Sequence, residues 1–164
     1  MKTHVTFVAL LMLMASGHAV AHSPVVVSKM FNVCVQPQSG VTYHVSDGLD
    51  AASGAVQHGR ASIKLLIGRN IDRPAGMKPL IPGRILPDAV TKLDESPGAD
   101  GSGKAQLLGF GFGMVRDVGP KEFQDHIYIL LTASNGAANA TLLNEVSAAL
   151  VRCAPVKSAA KVAQ

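Results

Sequence analysis

Apolar and polar positions alternate in short runs along most of the chain, with one stretch of helical period near its C-terminal end. Residues 25–35 (VVVSKMFNVCV) are mostly β-branched or apolar and are closed by Pro37 and Ser39-Gly40, which predicts one strand or two short ones. Val41, Tyr43 and Val45 then alternate with Thr42 and His44, the mark of a half-buried strand. The intervening Gln38-Ser39-Gly40 is short enough for a hairpin. Residues 50–57 predict a helical turn capped by Asp50 and ended by Gly59, and 61–67 (ASIKLLI) a further strand. Residues 69–87 are the least regular part of the chain: Pro74, Pro79, Pro82 and Pro87 remove backbone donors and block both a helix and a central strand.

Beyond this segment, 88–93 predict a short helix capped by Asp88, and 95–104 (ESPGADGSGK) a turn-rich loop. In 106–115 (QLLGFGFGMV) alternation puts Leu108, Phe110, Phe112 and Met114 on one face of a strand and Gly109, Gly111 and Gly113 on the other. A bare backbone face of this kind admits close approach of another element. Residues 126–132 (HIYILLT) predict a central strand, broken at Asn135-Gly136. Over 139–152, Leu142, Val146, Ala149, Leu150 and Cys153 recur at three- and four-residue intervals, predicting a helix capped by Asn139 with Arg152 in its last turn and Pro155 stopping it.

The first residues carry an address rather than a fold. Lys2 precedes the apolar run 5–15, and Ala19 and Ala21 close it with small side chains, the pattern of a secretory signal cleaved after Ala21. The run is well short of the roughly 20 residues that a membrane-crossing helix needs. No cysteine sits just after the cleavage point, so a lipid anchor is not indicated. The expected organisation is a signal peptide over 1–21, one globular domain over 22–155 and a flexible tail over 156–164, with a periplasmic or secreted location and no transmembrane segment in the mature chain.

Composition narrows the class. With 48% hydrophobic residues in 164, the chain has material for a real core, which excludes wholesale disorder, and its two cysteines exclude a disulfide-dense miniprotein. An oxidising compartment makes Cys34 and Cys153 expected disulfide partners that staple the last helix to the first strand. The predicted fold is therefore α+β: a mainly antiparallel sheet of about five strands, a C-terminal helix packed on one face, and one disulfide.

Familiar catalytic patterns are absent or broken. Gly98 to Ala105 nearly spells GxxxxGK[ST], but Ala105 has no hydroxyl for magnesium and a glycine-spaced strand follows instead of a helix. Gly109 to Gly113 lacks the second half of a dinucleotide fingerprint, and GxSxG, HExxH and CxxC do not occur. His44, Ser46, Asp47 and His126 supply the residue types of a triad without its spacing. Few aromatics and no Trp argue against a sugar cleft.

Two features carry function instead. From His58 to Lys92 seven cations stand against Asp72 and Asp88, so this middle holds the positive excess of the mature chain. Within it Arg69, Arg73, Lys78 and Arg84 punctuate the proline-rich segment. A segment stiffened by prolines loses little entropy on docking, and its charge favours an acidic partner. The leading expectation is thus an exported, non-enzymatic binding protein for another protein or an anionic envelope polymer. One concrete form is an inhibitor or immunity-type partner of an envelope-acting enzyme. Nucleic acid is not expected, because no aromatic residues interleave the cations.

Two alternatives follow from other residues. Cleavage after Ala21 would give His22 a free α-amino group beside its imidazole, a pair that chelates copper if His44, His58 or His126 adds a further ligand. No other cofactor is indicated. The glycine face of Gly109, Gly111 and Gly113 would suit a structural or assembly protein of the envelope. Intact-mass measurement on the exported protein is expected to show His22 as its first residue and both thiols oxidised; Met1 retained with free thiols would contradict the export reading.

Overall fold

The computed structural model describes residues 23–79, 84–98, 102–118 and 121–154, and between 112 and 124 the backbone only. Nine strands and one helix follow one another as β1 (Val25–Ser28), β2 (Val33–Val35), β3 (Val41–Asp47), β4 (Ala51–His58), β5 (Ala61–Gly68), β6 (Thr91–Pro97), β7 (Lys104–Val118), β8 (Lys121–Ala133), α1 (Ala137–Ala149) and β9 (Leu150–Arg152). They form two antiparallel sheets, one of three strands in the order β1-β2-β9 and one of six in the order β3-β4-β5-β8-β7-β6. The expected class holds: antiparallel sheet, one C-terminal helix, one disulfide. The expected count of about five strands is too low.

The large sheet follows from alternation. In β5, Ala61, Ile63, Leu65 and Ile67 are buried while Ser62 and Lys64 are exposed. In β8, Ile127, Ile129, Leu131 and Ala133 turn the same way, and Leu108 and Phe110 of β7 join them. Helix α1 packs on this face against β5, β8 and β7 through Leu142, Leu143, Val146 and Ala149. Val27, Phe31, Val33 and Val35 of the small sheet and its turn complete the same cluster. Each such side chain contributes about 1.5–3 kcal/mol when fully withdrawn from water.

Several sequence expectations are overturned. Residues 50–57 are not a helical turn: Ala52 and Val56 are buried on the core side, and Gly54 lets β3 approach so closely that a Cβ there would lie 1.9 Å from the His44 carbonyl oxygen. Residues 88–93 form no helix: a bend at 88–89 leads into β6, which a bulge between Lys92 and Asp94 interrupts. The loop expected over 95–104 shrinks, since β6 reaches Pro97 and β7 begins at Lys104. No hairpin joins β2 to β3, because the two strands belong to different sheets.

The helix begins earlier and ends earlier than its apolar spacing implies. Its N-cap is Gly136, while the Asn139 side chain bonds outward, accepting the Ser62 N–H at 3.0 Å and donating to the Ser134 hydroxyl at 3.0 Å. At Leu150 the backbone turns extended and pairs with β2, Leu150 opposite Val35 and Arg152 opposite Val33. Strand pairing and the bond from Gln36 N–H to the Ala149 carbonyl at 2.9 Å replace the last helical turn. Arg152 consequently lies in β9, where it meets Asp88 at 3.4 Å. The expected stops and tails at Pro155 and 156–164, and the leader 1–21, lie outside the described residues.

Cys34 and Cys153 are bonded, as expected, with Cα atoms 4.9 Å apart and a sequence separation of 119. The bridge joins β2 to the chain just after β9 rather than to the helix itself. Among the described residues no helix is long and apolar enough to cross a membrane. Replacing both cysteines by serine is expected to lower stability by about 4–5 kcal/mol if loop-closure entropy governs, read as a fall in the urea midpoint.

Candidate functional site

The outer face of the large sheet, opposite α1, is divided. Across β3 to β5 it is polar, with Thr42, His44, Ser53, Gln57 and Lys64 exposed. Across β7 and β8 it is apolar: Ala105, Leu107 and Leu130 are buried, yet belong to no part of the α1 cluster. The proline-rich segment covers this half. Leu86 is only 4% exposed, and with Leu93 it takes the space that a Cβ on Gly109 would need, at 3.2 and 2.8 Å. The Pro87 carbonyl accepts the Gly111 N–H at 2.8 Å. The bare glycine backbone thus receives, at Gly109, an element of the same chain.

The segment is fixed at a second place by Asp94 on β6. Its carboxylate accepts the Lys78 N–H at 2.6 Å and the Glu95 N–H at 2.9 Å. These two amides, with smaller help from the Lys78 and Arg73 charges, hold the Asp94 carboxyl below the usual carboxylate range. The Arg73 guanidinium donates to the Lys78 carbonyl, closing the turn in which Met77 N–H reaches the Pro74 carbonyl at 3.3 Å.

Arg73, Lys78 and Arg84 all have exposed side chains on this anchored backbone. Two rings of β8 stand on the same outer face, with the Tyr128 hydroxyl 3.2 Å from His126 Nδ1. Burial pushes the Tyr128 phenol up, opposed by the Arg73 charge. Burial pushes the His126 imidazole down, opposed by the Arg84 carbonyl and by Asp125. Burial thus disfavours charge on both rings, beside the cations and the Asp94 carboxylate. Ile85, next to Arg84, is 48% exposed and adds an apolar contact.

Arg69 stands apart. It follows β5 and lines a separate cleft of about 370 Å³ with Met30, Leu49 and Asp50, at the end of the sheet where the β1–β2 and β3–β4 turns meet. The four cations expected as one docking surface thus fall into a group of three and a single residue. Leu80 and Ile81, read as their apolar companions, lie outside the described residues.

The other candidate residues are not gathered into a reactive site. His44 and His126 stand on β3 and β8, separated by β4 and β5. Asp47 is occupied otherwise: it accepts the Ser28 hydroxyl and the N–H groups of Lys29 at 3.1 Å and Met30 at 3.4 Å, tying the small sheet to the large one. The Ser28 hydrogen bond, then the two amides and the Lys29 charge, hold its carboxyl below the usual range against a small cost of burial. Lys104, the lysine of the near-phosphate loop, is paired with Glu95 at 2.7 Å and opens a strand. His22 lies outside the described residues, and among those described no three His, Cys, Asp or Glu side chains come together as a metal site.

Sequence reasoning missed Asp94 and Tyr128. Asp94 falls between the helix expected over 88–93 and the loop expected over 95–104, whereas the alternation of His126, Tyr128 and Leu130 against Ile127 and Ile129 was a usable signal for the outer face. Comparison with protein families, with curated proteins and with solved structures returned no match.

Asp94→Asn is expected to loosen the segment, seen as faster hydrogen exchange at the Lys78 amide. Because the Asp94 carboxyl titrates low in the folded chain, its contribution is present above the ordinary carboxylate range and is lost as pH falls through its depressed value. Protection of that amide should fall over the same interval in the parent protein and show no such step in Asp94→Asn.

Proposed function

We propose that this chain is an exported, non-enzymatic binding protein that docks on an acidic partner through Arg73, Lys78 and Arg84. The partner is another protein or an anionic envelope polymer, and an inhibitor or immunity-type role toward an envelope-acting enzyme is the most concrete form. One observation carries the reading: three exposed cations project from a backbone fixed at Asp94 and at Gly111, so their geometry exists before any partner arrives. Preorganisation of this kind lowers the entropic cost of docking. The charges would speed encounter and make binding salt-sensitive. Ile85 supplies an apolar contact beside them, and the Cys34–Cys153 bond is consistent with maturation outside the cytosol.

The proposal is tested by reversing all three charges together to Glu and measuring retention on isolated envelope at low and high salt. Exposed charge pairs are worth about 0.2–1 kcal/mol each, so losing three is expected to weaken binding about tenfold or more and to flatten its salt dependence. Arg69→Glu, lying away from this surface, should retain the salt-dependent binding. Equal retention and equal salt sensitivity in the triple variant would overturn the reading.

A further inference from the structure

We propose that the open edge of β3 pairs with β3 of a second copy of this chain, antiparallel and in a two-fold register centred on His44. The inference is independent of the docking proposal, since the basic segment lies against β6, at the opposite edge of the large sheet.

The sheet edges differ in how they are protected. β6 is interrupted by a bulge at Lys92/Asp94, ends in Pro97 and carries the Lys78 segment on Asp94. β1 and β9, the two edges of the small sheet, have four and three residues, and β1 carries a bulge between Val26 and Ser28. These are the devices that keep edge strands from pairing with other chains. β3 has neither a bulge, a proline nor a lysine: seven residues match β4 one to one, and β1 meets it where Ser28 and Lys29 bind Asp47 at its end.

Hydrogen-bond phase then selects the groups that are open. The Gly48 N–H donates to the Ala51 carbonyl at 2.9 Å, and the one-to-one register continues that pairing along the hairpin. In an antiparallel ladder hydrogen-bonded pairs alternate with non-hydrogen-bonded ones. Ser46–Ser53, His44–Ala55 and Thr42–Gln57 therefore exchange bonds across the hairpin, while the N–H and C=O of Tyr43 and Val45 point away from β4. Among the described residues these four groups take no other backbone hydrogen bond. The neighbouring positions are engaged: the Val41 N–H reaches the Gln38 carbonyl at 3.4 Å, and Asp47 lies under the β1–β2 turn.

A two-fold axis at His44 sets Tyr43 opposite Val45 of the second copy, and Val45 opposite its Tyr43. Both are hydrogen-bonded pairs in this phase, so four bonds form and every open group is used. The side chains match as well. Tyr43 and Val45 are half-buried on the core side and pack against the main cluster, so the contact would extend that cluster with two aromatic–β-branched pairs. On the outer face Thr42 meets Ser46, a hydroxyl pair, twice. A self-complementary strand of this kind identifies its own copy as the occupant, an isologous contact.

The test uses the mature protein with Cys34–Cys153 intact. At the two-fold axis, residue 44 faces itself in a non-hydrogen-bonded pair, with Cα atoms roughly 4.5 Å apart, within the span of a disulfide. His44→Cys, an exposed substitution, is expected to give a covalent dimer under diamide, which takes up the two electrons and two protons released by the thiols. It should do so at least tenfold faster than Thr42→Cys alone at equal concentration, whereas a mixture of Thr42→Cys and Ser46→Cys should cross-link. The parent protein should sediment as a concentration-dependent dimer. A monomer at high concentration, equal rates for the 44 and 42 variants, or attachment of residue 44 solely to a different protein would overturn the inference. An unchanged urea midpoint of each variant shows that the fold is intact.

Discussion

The interior pair β7 and β8 governs the molecule, because it is apolar on both faces and so needs a cover on each side. On one face α1 supplies Leu142, Leu143 and Val146. On the other, Leu107 and Leu130 are buried too, and Leu86 is laid over the backbone at Gly109. The missing side chain at Gly109 leaves room there for the extended segment to come close. That is why prolines are tolerated: a covering segment needs few backbone donors of its own, and its two described anchors use the Lys78 N–H and the Pro87 carbonyl. Cations in such a segment have nowhere to go but outward. The same demand for burial that completes the core therefore produces the charged surface.

The two sheets are coupled by polar contacts as well as by packing. Asp47 at the end of β3 binds the turn between β1 and β2. Gln38 joins the connection to α1 by donating to the Glu145 carbonyl at 3.1 Å, and accepts the Tyr43 hydroxyl at 3.2 Å. Burial raises the Tyr43 phenol to about 12. Gln106, almost wholly buried on β7, donates to Glu95 at 2.8 Å and to Asn144 of α1 at 3.0 Å. These bonds fix where the helix lies along the strands, which apolar contact alone leaves loosely specified.

What could be read in the sequence was what local pattern encodes. Alternation in 41–45, the strand-like run 61–67, the apolar run of 126–132 and the three- and four-residue spacing of 142–149 each announced their element. The two cysteines announced their bond through the compartment expected for the chain. Residues 51–58 are largely Ala, Ser and Gly, whose own preferences are weak, and only pairing on both sides makes them a strand. Leu150 and Val151 continued an apolar spacing that serves equally for a helix stripe or a buried strand, so the change of structure there was invisible. The candidate surface was legible as charge and proline density, while its division at Arg69 and its dependence on Asp94 required knowing which strands become neighbours.

The passage from α1 into β9 sets an order of events for the newborn chain. β2 lies between β1 and β9, so the strand made among the first residues of the domain waits for almost the last ones before its second side is filled. Contacts of such long sequence separation form late and slowly. A polypeptide built this way cannot finish its small sheet while its end is still being delivered. Until those last residues arrive, β2 has a partner on one side only.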